Sequence, residues 1–192
     1  MSETFFVLGN GKSRLAVDLP SLKEHGKIFG CNALYRDFIP DCLVSVDARM
    51  VNEVVRNKVH KQIPVWTNYS VKYEQYPELN MIRPTKGWSS GPTALWLAAT
   101  QQPKEIYILG FDYSGDNGKI NNVYSSTPNY KKSEEKAIFY GNWVKQTESV
   151  IRDFPRVKFI RVVNDNCLDV RWLQYRNFET MTYDVFKSRF NA

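Results

Sequence analysis

Apolar residues along this chain fall into short, nearly continuous runs separated by longer stretches in which they recur at helical spacing. The runs of strand length are 4–8, 27–31, 42–46, 63–66, 105–109 and 157–163. Between them, Leu15 to Glu24, Arg49 to Val59, Gly91 to Gln101 and Ser133 to Phe154 carry the helical period. Such alternation predicts an α/β fold: a single Rossmann-like domain over residues 1–192, with a mainly parallel sheet flanked by helices. The segment Thr93 to Ala99 is apolar nearly all round, which predicts a deeply packed helix. Pro92 suits its first turn, and Ser89, Ser90 and Gly91 supply its entry.

Two stretches break the alternation. Residues 67–88 hold Tyr69, Tyr73, Tyr76, Pro77 and Pro84 without a clean period and read as an irregular connection with a short strand near Asn80 to Ile82. Residues 112–132 are rich in Gly, Asn, Asp and Pro. A long polar loop in a compact domain is usually functional or mobile. It follows the strand Ile106 to Leu109, so it belongs at the carboxyl edge of the sheet, where ligands of open α/β sheets bind.

Composition narrows the class. With 192 residues, 43% hydrophobic and 24% charged, the chain can bury one sizeable core. No apolar run reaches the roughly 18 residues of a membrane span. The start, Ser2-Glu3 and then an apolar strand, has no basic leader, so a cytoplasmic protein is expected. Cys31, Cys42 and Cys167 are widely spaced, without a CxxC pair, which argues against a disulfide framework or a zinc site. The net charge of +6 suits a protein that meets phosphates. Lys and Arg are nevertheless spread along the chain, which argues against nucleic acid as the partner.

The candidate chemistry begins where Phe5 to Leu8 runs into Gly9-Asn10-Gly11-Lys12-Ser13. A glycine-rich turn between a first strand and a first helix lets backbone N–H groups approach a phosphate. The dinucleotide fingerprint fails at Arg14, where it needs glycine, and the P-loop pattern fails at Phe6. A tight turn with glycines chosen for backbone geometry is the alternative. Cys31-Asn32, Ser45-Val46-Asp47, Ser89-Ser90-Gly91 and Gly110-Phe111-Asp112-Tyr113 also end strands or open helices. In a parallel sheet most of these converge on one cleft of nucleotide type. Alone, Asn32 reads as an Asx turn ahead of a ligand contact, and Asp47 reads equally as a helix N-cap. Lys12 is a candidate for neutralising phosphate, and Trp88 for a lid or a core aromatic.

Gly9-Asn10-Gly11-x-Ser13, Cys31-Asn32-x-x-Tyr35-Arg36-Asp37, Ser90-Gly91 opening an Ala-rich helix, and Glu105 to Asp112 together resemble the bacterial sialyltransferases of glycosyltransferase family 42, in order and spacing, over roughly residues 4–165. The resemblance implies a pocket for a CMP-sugar donor, a glycan or small-molecule acceptor and no required metal. Asn10, Gly11, Asn32, Ser90, Gly91 and Gly110 are its implied donor-pocket residues, with Gly9, Ser13 and Asp47 beside them. The family places a histidine base after the long loop, where this chain reads Phe139-Tyr140-Gly141-Asn142-Trp143. The base must then be a carboxylate, with Asp112 the first candidate and Asp116, Glu134 and Glu135 behind it. Ser114 stands where the family's phosphate-touching tyrosine would be, so Tyr113 and Tyr124 are the candidates for that role.

Ile39-Pro40-Asp41 through Ser45-Val46-Asp47 is similar to a second group, the archaeal hydroxymethylpterin diphosphokinase-like family. That resemblance implies ATP and Mg²⁺, with Asp47 near the metal. A nucleotide-binding protein without catalysis is the third reading. The C-terminal stretch from Val170 to Phe190 mixes Arg with aromatics and suits a terminal element docked on the domain, a surface for acceptor or nucleic acid, or a homo-oligomer contact.

Overall fold

The computed structural model describes residues 3–138 and 140–192; Phe139 in the expected post-loop helix and Ser2 of the expected start lie outside them. Eight strands form one sheet: β1 (Thr4–Leu8), β2 (Lys27–Cys31), β3 (Cys42–Val44), β4 (Val65–Asn68), β5 (Leu79–Ile82), β6 (Glu105–Leu109), β7 (Lys158–Val163) and β8 (Phe178–Thr182). Their order is β5-β4-β3-β2-β1-β6-β7-β8, and every neighbouring pair is parallel. The α/β, Rossmann-like architecture is therefore as expected, with the sheet wholly rather than mainly parallel.

Alternation along the central strands explains why both faces must be covered. Phe6 and Leu8 point into one core with Leu22, Val51, Val54, Phe186 and Phe190, under the first connection, α1 (Ala48–Arg56) and the terminal α4 (Tyr183–Phe190). Phe5 and Val7 point into the other, with Leu95, Ala98, Ile151 and Trp172, under α2 (Ser90–Thr100) and α3 (Gly141–Asp153). Helix α2 lies between the sheet and α3, which is why its sequence is apolar on nearly every side.

Several local expectations are corrected. Residues 15–24 are no helix: two single 3-10 turns, Lys12–Ala16 and Pro20–Glu24, flank an extended Val17, and Pro20 opens the second turn. Helix α3 starts at Gly141 rather than near Ser133, because the backbone of 135–137 is committed elsewhere. Ile120 N donates to Glu135 O at 3.0 Å and Ala137 N to Gly118 O at 2.9 Å, forming a small antiparallel clasp. Strand β4 ends at Asn68, two residues beyond the apolar run. The C-terminal stretch, by contrast, is docked on the domain as expected: β8 pairs with β7, and α4 packs Phe186 and Phe190 into the core.

The topology makes a crevice. From β1 the chain moves outward to β5 and returns through α2 to β6 on the other side of β1. The connection after β1 packs on the face of α1, and the one after β6 leads to α3 on the opposite face. Loops that leave adjacent parallel strands in opposite directions leave a gap at the carboxyl edge, the place where such sheets bind ligands.

Candidate functional site

That gap holds a cavity of about 230 Å³. Its wall includes Gly9, Asn10 and Gly11 after β1, Cys31 and Asn32 after β2, Asp47 after β3, Ser89 to Pro92 at the start of α2, and Gly110 to Ser114 after β6. Asn121 and Asn122 of the long loop and Tyr140 and Trp143 at the start of α3 complete it. Of the residues singled out in the sequence, Gly9, Asn10, Gly11, Asn32, Asp47, Ser90, Gly91, Gly110, Asp112 and Tyr113 converge there, whereas Ser13 and Tyr124 do not.

The first loop holds itself together rather than offering a cradle. Gly9 N donates to Leu109 O at 2.8 Å and Gly11 N to Gly110 O at 2.9 Å. Lys12 N donates to Asn121 Oδ1 at 2.9 Å and Ser13 N to Asp112 Oδ2 at 3.1 Å. Most of the N–H groups expected to face a phosphate are thereby engaged, and a 3-10 turn follows in place of a helix. The glycines serve close approach between β1 and β6. A Cβ on Gly9 would lie 2.5 Å from Gly110 O, and one on Gly11 would lie 2.5 Å from Asp112 Oδ2.

Asp112 is the centre of this contact and only 5% exposed. Its Oδ2 accepts from Ser13 N and, at 3.0 Å, from Asn121 Nδ2. Its Oδ1 accepts from Ser13 Oγ and, at 3.7 Å, from Cys167 Sγ. A chain of donors feeds the same carboxylate: Gly110 N donates to Tyr183 OH at 3.2 Å, and Tyr183 OH to Ser13 Oγ at 2.8 Å. The fully buried guanidinium of Arg161 stands behind it, donating to Phe111 O, Asp112 O and Leu168 O. With Ser13 N, Ser13 Oγ and Asn121 Nδ2 all donating to its two oxygens and the Cys167 thiol beside them, Asp112 holds the loops together, a structural duty that competes with the expected role of base.

The two candidate tyrosines are likewise committed. Burial pushes the Tyr113 and Tyr124 phenols above their ordinary pKa. Tyr113 OH pairs with Thr147 Oγ1 at 2.6 Å on α3, and its ring lies under Arg161. Tyr124 OH accepts from Arg14 Nη2 at 2.9 Å, away from the cavity. The tyrosine with a ring on the cavity wall beside Trp143 is Tyr140, 5.3 Å between centroids, and its sequence signal was only an aromatic pair ahead of a helix. Trp88 packs half-buried in the core below α2 and does not line the cavity.

Several polar groups of the wall remain without a partner or are held in unusual geometry. Asn10 is 7% exposed, and its Nδ2 donates to Cys31 O at 3.3 Å, which fixes the amide. Its Oδ1 is buried with no partner among the described residues. An orphaned acceptor in a cavity wall asks for a donor from a ligand or water. Asn32 sits at φ +52°, the left-handed region that asparagine tolerates, with its Oδ1 accepting from Ser45 Oγ at 3.2 Å. Cys31 lines the wall as a thiol, its pKa pushed up to about 12 by burial. At the start of α2, Ser89 makes no side-chain cap, Thr93 N returns to Ser89 O, and Pro92 has no N–H. The Ser90 and Gly91 N–H groups therefore have no acceptor among the described residues, at the positive end of an 11-residue helix.

The charge of the wall is unusual for a phosphate site. No lysine or arginine lines the cavity, and the two charged side chains that do are Asp47 and Asp112. Lys12 is drawn off by Asp116 at 2.7 Å, and Arg14 is buried against Tyr124. Among the described residues no group of three metal-ligating side chains occurs, and no helix is long and apolar enough to cross a membrane. No family model, curated protein or solved structure matches the chain.

Proposed function

We propose that this cavity receives the nucleotide of an activated sugar and that the chain is a nucleotide-sugar-dependent glycosyltransferase of sialyltransferase-like type, with a CMP-sugar as donor and a glycan or small-molecule hydroxyl as acceptor. The observation that carries this reading is the pairing of free N–H groups at the start of α2 with a wall that bears two carboxylates and no basic side chain. A helix N-terminus favours an anion, but two neighbouring carboxylates oppose a highly charged one. The phosphodiester of a CMP-sugar places one negative charge at the helix end, fewer than a nucleoside di- or triphosphate brings, and meets both conditions best. At about 230 Å³ the cavity is smaller than the roughly 300–1,000 Å³ of most ligand pockets, so in this reading it takes the nucleotide and the sugar and acceptor stay at its mouth.

In this reading Ser90 N and Gly91 N receive the phosphate and hold the nucleotide as it leaves. Asn10 and Asn32 lie on the same wall, and the rings of Tyr140 and Trp143 offer faces for stacking. Ser89→Asp tests the phosphate position. Aspartate is among the best N-caps, so it preserves or raises helix stability while setting a negative charge beside the ligand's phosphate. CMP affinity measured by calorimetry falls at least tenfold in this variant, while its thermal midpoint stays at or above that of the unsubstituted chain. Unchanged affinity would move the phosphate elsewhere.

A second reading, an ATP-dependent diphosphokinase-like phosphotransferase, is favoured by the unengaged carboxylate of Asp47 on the cavity wall. Mg²⁺ is commonly held by one or two carboxylates together with substrate phosphates, and Asp47 can supply one. Asp112 has its oxygens taken by protein donors and fits that role poorly. Under this reading Asp47→Asn abolishes Mg²⁺-dependent ATP binding.

A further inference from the structure

Sugar transfer to a hydroxyl leaves a proton to be collected, and the usual group for it is missing. His25 packs in the open against Phe190, and His60 is buried against Tyr76; neither lines the cavity. Of the carboxylates expected from the long loop, Asp112 is tied to Ser13 N, Ser13 Oγ and Asn121 Nδ2, and Asp116 is paired with Lys12. Glu134 and Glu135 are exposed and off the cavity wall, and Glu135 is turned back onto Lys132 N and Lys131.

Asp47 differs from all of these. It stands at the N-cap position of α1, where aspartate ordinarily bonds the helix N–H groups, yet its side chain makes no cap. It makes no side-chain hydrogen bond among the described residues, is exposed, and lines the cavity. Its backbone is held against the phosphate end of the site: Val46 N, one residue before it, donates to Ser90 Oγ of α2 at 3.1 Å. A cap left unmade costs stability, about 1 kcal/mol, and such a departure from local preference is expected where function asks for it.

We infer that Asp47 is the catalytic base of this cavity, an inference that rests on the glycosyltransferase reading. The acceptor oxygen forms its bond to the anomeric carbon as the bond from that carbon to the phosphate oxygen breaks. The electron pair leaves with CMP, held at Ser90 and Gly91, and the acceptor's proton passes to an Asp47 carboxylate oxygen. No metal or redox partner enters this balance.

The test compares the unsubstituted chain with Asp47→Asn and Asp47→Glu, using CMP-N-acetylneuraminate as donor and water or lactose as acceptor. CMP binding is read by calorimetry and CMP release by rate against pH. Asp47→Asn still binds CMP, with affinity equal to or above that of the unsubstituted chain, because one of the two wall carboxylates that oppose the phosphate is gone and the phosphate contacts are elsewhere. Its release rate falls by about 10²–10⁴, the range for loss of a general base, and the acidic limb of the pH profile disappears. Asp47→Glu recovers part of the rate. Undiminished release in Asp47→Asn overturns the inference and leaves the function standing. CMP binding by the unsubstituted chain without release to either acceptor overturns the inference together with the transferase reading and leaves a nucleotide-binding protein without catalysis. Loss of Mg²⁺-dependent ATP binding instead assigns Asp47 to a metal. Absence of CMP binding in the unsubstituted chain overturns the function itself.

Discussion

At the scale of single residues, the site is held by what its glycines lack. Gly11 has no side chain because the Asp112 carboxylate occupies that space, and Gly9 and Gly110 touch backbone to backbone. Gly11→Ala therefore forces the carboxylate aside or lifts the loop. Overpacking of this kind costs about 1–3 kcal/mol, and here it also separates Asp112 from Ser13 N. Chemical denaturation should show a loss of that size, accompanied by weaker CMP binding as Asn10 shifts. A stability change under 0.5 kcal/mol would mean that Asp112 is not the fixed neighbour described. The glycines were legible in the sequence as a turn that something approaches closely. The visitor was not, because a match of Gly11 to Asp112 across 101 positions has no local signature, and a ligand phosphate was the simpler guess.

At the scale of elements, the long polar stretch after β6 proves to be a strap tied across the loops of β1 and β2. Val123 N donates to Asn10 O at 2.8 Å, and the Tyr130 hydroxyl accepts from Ala33 N at 3.3 Å. Its far end is anchored on Glu53 of α1, which accepts from Asn129, Tyr35 and Arg36; Arg36 also donates to Thr127 and Pro128 of the strap. Burial acts to raise the Glu53 pKa, but the bonds from Tyr35, Arg36 and Asn129 outweigh it and hold the carboxyl below its ordinary 4.5. A depressed folded pKa contributes stability that is complete above the unfolded value and lost as pH falls through the folded one. The strap should accordingly loosen below about pH 4.5, seen as faster hydrogen exchange at residues 123–130 before the sheet opens. Glu53→Gln should remove that dependence and weaken the anchor at pH values where Glu53 is ionised, by roughly the 1.5–3 kcal/mol of a hydrogen bond to a charged group, with little difference in acid. The same scale shows what periodicity hides. β8 buries only Phe178 fully and is an edge strand, so its alternation is faint, and residues 133–138 carry helical spacing although 135–137 pair with 118–120.

At the scale of the whole molecule, charge and topology point in different directions. The chain carries +6 overall, and at first sight that favours polyanionic ligands. The cavity does not share the sign: its charged side chains are both carboxylates, and the positive potential that faces it comes from the first turn of α2. The position of the cavity was legible in the sequence, since five segments ending strands or opening helices had to meet at one edge of a parallel sheet, whereas its charge depended on Lys12 and Arg14 being drawn away by Asp116 and Tyr124. A thermal-shift series follows from this. CMP at 100 times its dissociation constant should add about 2.7 kcal/mol, and a chain of this length gains about 2–4 °C per kcal/mol, so the midpoint should rise by roughly 5–11 °C without metal. ADP and ATP without Mg²⁺ should give much smaller shifts at equal concentration, because each added phosphate charge meets the carboxylates, an effect worth about 4 kcal/mol per pair at 4 Å near a protein surface. Raising the salt should narrow the gap between CMP and ATP by screening that repulsion, since surface charges interact over only about 8–10 Å at physiological ionic strength. If ATP without metal stabilises the chain as well as CMP does, the carboxylates do not face the phosphate, and the positive surface outside the cavity becomes the place to look for the ligand.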